Sequence, residues 1–500
     1  MKPAGSRRRF GPAGPERCAE KFRWLPVWAL LAATVVPLAA AVAAPRPNII
    51  VILADDLGYG DVGFQGSRQI PTPNLDRLAA SGVVCTQAYV SAPVCSPSRA
   101  GLLTGRNQVE FGYDNNLDDA QVQPGFDGNY AGLPVGESTI ADRLRAAGYV
   151  TGIVGKWHLG SRPQFHPLRR GFDEFWGFLA GGHHYFPGAK AGQPEPDLEC
   201  SFGPVGTLSY LTDNITDQGI AFVRRHRDQP FFLYTAYNAP HAPLEARPED
   251  LARFAFIPDL KRRTYCAMVA RLDDQIGRLL AAVQAAGLAE KTLIVFLSDN
   301  GGPVDQNASL NAPLNGQKGM LLEGGMRVPF VFSWPGRLPA GKTYGQVISS
   351  LDLAPTFLRL AGAAEPQLAG LVGTDLMARL AGQDDSAPHQ ELKWRFTISA
   401  AIREGDWKLV RLPDRLPLLF NLRTDLSEQH DVALENLDRT KAMLARLGDW
   451  DVHLPHPVTL EGAVWKHRQL NLYDAKFPLT QPVGGEVPRM VSIKETNAPH

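Results

Sequence analysis

The sequence predicts an α/β protein: a large, mostly parallel central sheet flanked by helices, followed by a smaller C-terminal antiparallel sheet with a packed helix. Three observations lead there. Near-continuous apolar runs of strand length alternate with amphipathic helical patterns between residues 48 and 297. Chemically distinctive side chains follow four of those runs directly, at the edge where open α/β sheets bind ligands. After about residue 375 the pattern changes to short strands separated by turns. The chain of 500 residues is long enough for a large core and more than one domain, and 44% hydrophobic and 20% charged residues are ordinary for a soluble globular protein. Lys+Arg 51 and Asp+Glu 51 balance, which argues against a nucleic-acid binder held by the overall field.

The first 44 residues read as a targeting segment. Lys2, Arg7, Arg8, Arg9, Arg17, Lys21 and Arg23 precede an apolar run from Trp24 to Ala44, and Ala41-Val42-Ala43 fits a small-x-small cleavage site. An uncleaved membrane anchor is the alternative, because about 20 apolar residues span a bilayer; Pro26, Pro37 and the alanine-rich end favour cleavage. Ser6 to Phe10 looks like a twin-arginine start, weakened by Glu16 and Glu20. Either reading places the mature chain outside the cytosol: periplasmic, secreted or lumenal, in contact with a membrane only if the segment is retained.

The strands expected in the central sheet are Asn48–Leu53, Thr151–Val154, Phe231–Thr235 and Thr292–Leu297. Helices are expected over Pro73–Ser81, Ser138–Ala147, Asn214–Arg227 and Tyr265–Ala286, three of them closed by a glycine. Beyond residue 375, strands are expected at Arg395–Ser399, Ala400–Arg403, Trp407–Val410 and Leu418–Phe420, with a hairpin turn at Glu404-Gly405-Asp406 and a helix over Asp438–Leu447. The tail from 477 to 500 reads as extended.

Asp55-Asp56 follow the first strand, Lys156 and His158 the second, Asn238 and His241 the third, and Asp299-Asn300 the fourth. A single acidic pair is more often a loop or helix cap. Two pairs at equivalent strand ends point to a hard divalent cation, calcium or magnesium rather than zinc. Cys95 stands at the mouth of a helix, with Arg99 one turn along. Alone it is either a thiol with depressed pKa or a small buried hydrophobe. Lys156 and His158 project to one side of an extended segment, His241 sits in a proline-bracketed loop, and Lys318 lies in a glycine-rich one. Arg99, Lys156 and Lys318 around a divalent metal are the ingredients for binding a small tetrahedral anion, and two histidines can move protons near neutral pH.

The run Cys95-Ser96-Pro97-Ser98-Arg99, continuing to Leu103-Thr104-Gly105-Arg106, resembles the signature of type I, formylglycine-dependent sulfatases. Gly155 to Gly160 resembles the second signature, and Lys318 to Gly325 the later lysine and Glu-Gly-Gly turn. The resemblance runs from about Pro47 to Ala363 and continues through Ile402–Leu409 and Leu422–Asp425. It implies an alkaline-phosphatase-like catalytic domain over 45–375, a C-terminal α+β subdomain over 376–476, and hydrolysis of sulfate monoesters, from sulfated carbohydrates to small aryl compounds.

The resemblance also implies a set of roles. Cys95 would be oxidised to formylglycine by the formylglycine-generating enzyme. With Asp55, Asp56, Asp299 and Asn300, the converted residue would hold the metal, usually calcium. One hydroxyl of the aldehyde hydrate would attack sulfur, steadied by Arg99. Lys156 and Lys318 would clamp the sulfate, and His241 would help protonate the leaving alcohol. His158 would take a proton from the second hydroxyl and so expel sulfate. His184, in the run Gly181 to Phe186, is a candidate substrate contact, with a surface aromatic loop as the equal alternative. With Cys95 converted and Cys18 removed, Cys85, Cys200 and Cys266 leave room for at most one intramolecular disulfide. Asn214-Ile215-Thr216 and Asn307-Ala308-Ser309 are glycosylation sequons. A phosphonate or phosphate ester hydrolase on the same scaffold, and an inactive carbohydrate-binding relative, are the competing readings.

Overall fold

A computed structural model describes Gly11 and residues 46–117, 131–188, 198–458 and 463–478. The apolar run Trp24–Ala44 and residues 479–500 of the tail lie outside the described residues. No helix among the described residues is long and apolar enough to cross a membrane.

The central sheet has nine strands: β1 (Asn48–Ala54), β2 (Val83–Tyr89), β3 (Val150–Lys156), β4 (Glu174–Phe178), β5 (Glu199–Cys200), β6 (Phe231–Ala236), β7 (Thr292–Ser298), β8 (Phe330–Ser333) and β9 (Lys342–Ser349). They run in the order β5-β4-β3-β6-β1-β7-β8-β2-β9. Five neighbouring pairs are parallel and three antiparallel. The four strands expected from the sequence are present, each extended slightly, and they are the adjacent run β3-β6-β1-β7. All seven residues of β1 are buried: Ile49, Val51 and Leu53 enter one core, Ile50, Ile52 and Ala54 the other. Burial on both faces explains an apolar run without alternation. β2, β8 and β9 escaped the sequence reading because β9 is half polar, β8 has only four residues, and β2 mixes buried with half-buried positions.

The second sheet is an antiparallel meander, β10 (Glu391–Phe396), β11 (Ser399–Glu404), β12 (Trp407–Arg411) and β13 (Leu418–Asn421). The strand expected at Arg395–Ser399 is corrected: Phe396 pairs with Ser399, so Thr397 and Ile398 form the hairpin turn, with Thr397 at φ +51°. One face of this sheet packs Ala400, Ile402, Leu409 and Leu419 against Met443 and Leu447 of the helix Leu437–Asp451. The other face sends Trp394, Phe396, Ala401, Val410 and Phe420 into the core beneath the large sheet. A further helix, Ala463–Lys476, occupies a stretch for which no element was expected.

Candidate active site

The register of the parallel strands assembles the site. Ala54 pairs with Ser298, Leu53 with Ala236, and Gly155 with Ala236, so the segments after β1, β7, β6 and β3 emerge side by side. Asp55 and Asp299 are thereby neighbours: Asp299 donates its N–H to the Ala54 carbonyl (3.0 Å), and Asp56 donates its own to Asp299 Oδ1 (3.3 Å). Asp56 has φ +64° and His158 φ +57°, left-handed backbone that costs free energy in a non-glycine residue; Asp56 is held by its bond to Asp299 and His158 by donating its N–H to the Leu179 carbonyl (3.1 Å). β2 runs parallel to β1 through its antiparallel neighbour β8, so its carboxyl end delivers the next segment to the same edge.

That segment enters the helix Cys95–Thr104, every residue of which is buried. Pro97 lies in the first turn, where its missing N–H costs no helical bond. The helix ends at Gly105 (φ +65°). Ser96 ties its start down: the backbone N–H bonds Asn116 Oδ1 (2.9 Å), and the hydroxyl bonds the His158 carbonyl and pairs with the Tyr113 hydroxyl.

Cys95 Sγ lies 3.4 Å from Asp55 Oδ1, 4.0 Å from Asp56 Oδ1 and 3.0 Å from Lys318 Nζ. Lys318 Nζ is also 2.7 Å from Asp56 Oδ1. Lys156 Nζ lies 2.6 Å from Asp55 Oδ2. The Arg99 guanidinium donates through Nε and Nη2 to Asp299 Oδ2 (2.9 and 2.8 Å) and comes within 3.5 Å of Asp55. His241 Nε2 is 3.6 Å from Asp56, and its side chain keeps 22% of its exposure. Gly181 and Gly182 lie against the imidazoles of His158 and His241, which leaves no room for a side chain at Gly181.

The charges act on one another strongly because the site is buried. Burial opposes ionisation of Cys95, but Lys156 and Lys318 outweigh it and bring the thiol down to about 7. Burial, with Asp55 beside it, pushes Asp299 up to about 6. Asp56 is also buried, yet Lys318 and His241 hold it down at about 2. Burial and the neighbouring Lys156 and Arg99 keep His158 well below its ordinary value, so its imidazole is neutral. His241 is raised: burial works against its charge, but Asp55 and Asp56 outweigh it.

The donor set fits a hard cation. Asp55, Asp56, Asp299 and Cys95 present ligand atoms within 4.8 Å of one another. Asn300 donates its amide N–H to Asp56 Oδ1 (2.6 Å), while its buried Oδ1 has no hydrogen-bond partner. A buried amide oxygen without a partner, on a side chain bonded to one of three converging carboxylates, suits an oxygen-seeking divalent ion.

The structure therefore brings Asp55, Asp56, Cys95, Arg99, Lys156, His241, Asp299, Asn300 and Lys318 into one contact network, with His158 adjoining it. His184 sits apart from that network, its Nδ1 2.9 Å from Glu245, which also accepts the Tyr185 N–H. Asn307, the first residue of the second sequon, is fully buried and donates to the Asp56 carbonyl (3.2 Å). Cys85, Cys95, Cys200 and Cys266 are all unpaired. The sequence reading missed the supporting contacts of Ser96, Asn116 and Asn311; Asn-x-Pro-Leu shortly before Lys318 was the available signal for the last.

A family profile described as Sulfatase matches residues 47–363, and one described as N-sulphoglucosamine sulphohydrolase, C-terminal, matches residues 316–447. The chain is 38% identical over 379 residues to N-acetylgalactosamine-6-sulfatase of Canis lupus familiaris, covering 72% of this chain and 71% of that one. It is 37% identical over 387 residues to arylsulfatase A of Bos taurus, covering 73% of each. Among solved structures it resembles Ps i-CgsB in complex with k-i-k-neocarrahexaose, with TM-score 0.76 and 38% identity over 86% of this chain and 98% of that one. The phosphonate monoester hydrolase of Agrobacterium radiobacter shares the fold at 21% identity and TM-score 0.56 over 82% of this chain and 95% of that one.

Proposed function

The chain belongs to the sulfatase family and hydrolyses sulfate esters, and from that premise we propose that it works through a formylglycine made from Cys95, beside a calcium or magnesium ion held by Asp55, Asp56, Asp299 and Asn300. The observation that carries the proposal is the position of Cys95 Sγ, 3.4 Å from Asp55 and 3.0 Å from Lys318, among carboxylates whose ligand atoms converge with it. A bound cation there supplies positive charge that acidifies a neighbouring hydroxyl and offsets charge on the sulfate oxygens. The converted side chain supplies two geminal hydroxyls, one to attack sulfur and one whose deprotonation releases sulfate without an attacking water.

The protein groups divide the remaining work. Arg99 braces Asp299 and Asp55, fixing the face on which residue 95 stands. Lys156 and Lys318 each present an ammonium inside the cluster, and together they bind the sulfate oxygens and the charge that grows on them. His241, partly exposed and raised in pKa, donates a proton to the leaving alcohol. His158, neutral and with Nδ1 unpartnered, accepts the proton of the second hydroxyl. Sulfated carbohydrate is the substrate class we assign, supported by relatives named N-acetylgalactosamine-6-sulfatase and by the neocarrahexaose complex of Ps i-CgsB. His184 stands on the loop that carries Gly181 and Gly182 past the two histidines, where it contacts the sugar.

The test is a peptide mass spectrum across Cys95 from protein coexpressed with a formylglycine-generating enzyme. An aldehyde is expected there, trapped by a hydrazide reagent, with activity rising in proportion to conversion. Full activity on an aryl sulfate from protein whose Cys95 is an unmodified thiol would overturn the mechanism.

A further inference from the structure

The stretch from Asn307 to Ala312 carries no group assigned to the chemistry, yet it is wedged among three loops that do. Asn311 is buried, and its amide uses all four of its hydrogen-bonding positions. Oδ1 accepts from the N–H of Gly302 (3.0 Å) and of Tyr59 (3.4 Å); Nδ2 donates to the carbonyls of Gly302 (2.8 Å) and Gly316 (3.1 Å). Tyr59 lies just past Asp56, Gly302 just past Asn300, and Gly316 just before Lys318. One side chain thus spans the two metal-ligand loops and the loop that delivers the lysine.

The surrounding backbone is fitted to it. Gly60 donates to the Leu310 carbonyl (2.9 Å), and Leu310 donates to Asp61 Oδ2 (2.7 Å). A Cβ at Gly58 would collide with the Leu310 carbonyl, and one at Gly302 with Ser309 Oγ. Lys318 reaches Cys95 and Asp56 through a long flexible stem, so where its ammonium rests depends on where its backbone is pinned.

We propose that Asn311 is a positioning residue for sulfate-ester hydrolysis: its amide sets the separation between the Asp56 and Asn300 loops and Lys318. The inference rests on the roles given above to those three residues.

Asn48 provides a matched control. It is also a buried asparagine linking strands, accepting from Phe231 N–H and donating to Thr292 Oγ1 (both 3.3 Å), but at the amino edge of β1, away from the site. Asn48→Ala is expected to lower the thermal midpoint and leave kcat per folded molecule within about twofold of wild type, as for a substitution remote from the chemistry. Asn311→Ala is expected to lower kcat on the order of 10²-fold, the scale of a misplacement of about 1 Å, with a smaller change in KM. Calcium titrated into the full-length enzyme by calorimetry should bind at least about tenfold more weakly to Asn311→Ala and unchanged to Asn48→Ala. Asn311→Asp keeps the shape and the acceptors but loses both Nδ2 donors; it is expected to fold, to show an intermediate kcat, and to decide the matter should Asn311→Ala fail to fold. Asn311 variants with wild-type kcat and calcium affinity per folded molecule overturn the proposal. Turnover surviving in Cys95→Ala or Lys318→Ala would instead overturn the mechanism on which it rests.

Discussion

Two of the buried ionic clusters among the described residues make an instructive pair, and of these two only one has the makings of an active site. The first is the strand-edge cluster of Asp55, Asp56 and Asp299 with Arg99, Lys156 and Lys318. The second joins the Glu323 turn to the C-terminal sheet. There Lys408 Nζ lies 2.9 Å from Glu323 and 3.0 Å from Glu428, Tyr89 donates to Glu323 (2.5 Å), and Glu428 accepts the Glu323 N–H (2.6 Å). Both clusters are solvent-excluded and both hold shifted carboxyl groups, so perturbed ionisation alone would flag either. They differ in their loose ends. The first leaves Asn300 Oδ1 and His158 Nδ1 without partners and keeps a partly exposed histidine at its edge. In the second, Lys408 lies within 3.0 Å of both carboxylates, Glu428 Oε2 accepts the Glu323 N–H, and Glu428 Oε1, which makes no hydrogen bond, still faces the Lys408 ammonium. Buried charge locks a fold when it is closed on itself and does chemistry when it is left open towards a ligand.

The largest effects should separate the two clusters cleanly. Cys95→Ala in the open cluster is expected to reduce turnover of an aryl sulfate on the order of 10⁴-fold or more, as loss of a covalent nucleophile does elsewhere. Its thermal midpoint should stay near wild type, since the side chain is small and sits at a helix start. Lys408→Met in the closed cluster should do the reverse. Removing the shared cation leaves Glu428 buried without a counter-charge and Glu323 with only Arg327 and Arg403, at a cost of about 3–5 kcal/mol, read as a fall in thermal midpoint. A Lys408→Met protein as stable as wild type would show that the second cluster does not lock the fold.

The open cluster was readable in the sequence because its parts stand next to strong local signals. Asp55-Asp56 and Asp299-Asn300 follow uninterrupted apolar strands, and parallel pairing then places them together without further information. The closed cluster was not readable. Glu323 and Glu428 lie far apart in sequence, and nothing local marks Glu428, whose φ of +47° is set by the tertiary fold. Asn307 makes the same point: its tripeptide carries no information on burial, yet the side chain is buried and bonded to the Asp56 carbonyl. Residues that bear chemistry at strand ends carry their own context, whereas residues that hold loops together gain meaning only from partners the chain brings in from elsewhere.

A smaller test concerns the open end of the first cluster. Asp299→Ala removes one carboxylate from the proposed metal-ligand group and the partner of Arg99. Calcium affinity measured by calorimetry is expected to fall about tenfold to a hundredfold. Unchanged affinity would remove Asp299 from the ligand set.

The smallest effect, a pH slope, probes how tightly the second cluster is closed. Burial, with Glu323 adding to it, raises Glu428 from an ordinary 4.5 to about 7 despite Lys408, while Lys408, Arg327 and Arg403 overcome burial to hold Glu323 down at about 2. Between pH 4.5 and 7 the folded protein therefore keeps a proton on Glu428 that the unfolded chain has released. Stability must fall as pH rises through that window, by up to about 1.4 kcal/mol per unit from this group. Glu428→Gln keeps the shape and cannot titrate, so it lacks this contribution, while the titrations of the open cluster are common to both proteins and cancel in the difference. Thermal midpoints of the two proteins, compared from pH 5 to 7, should shift progressively in favour of the variant. Parallel curves would mean that Glu428 is ionised throughout, and that Lys408 sustains two buried carboxylates at once.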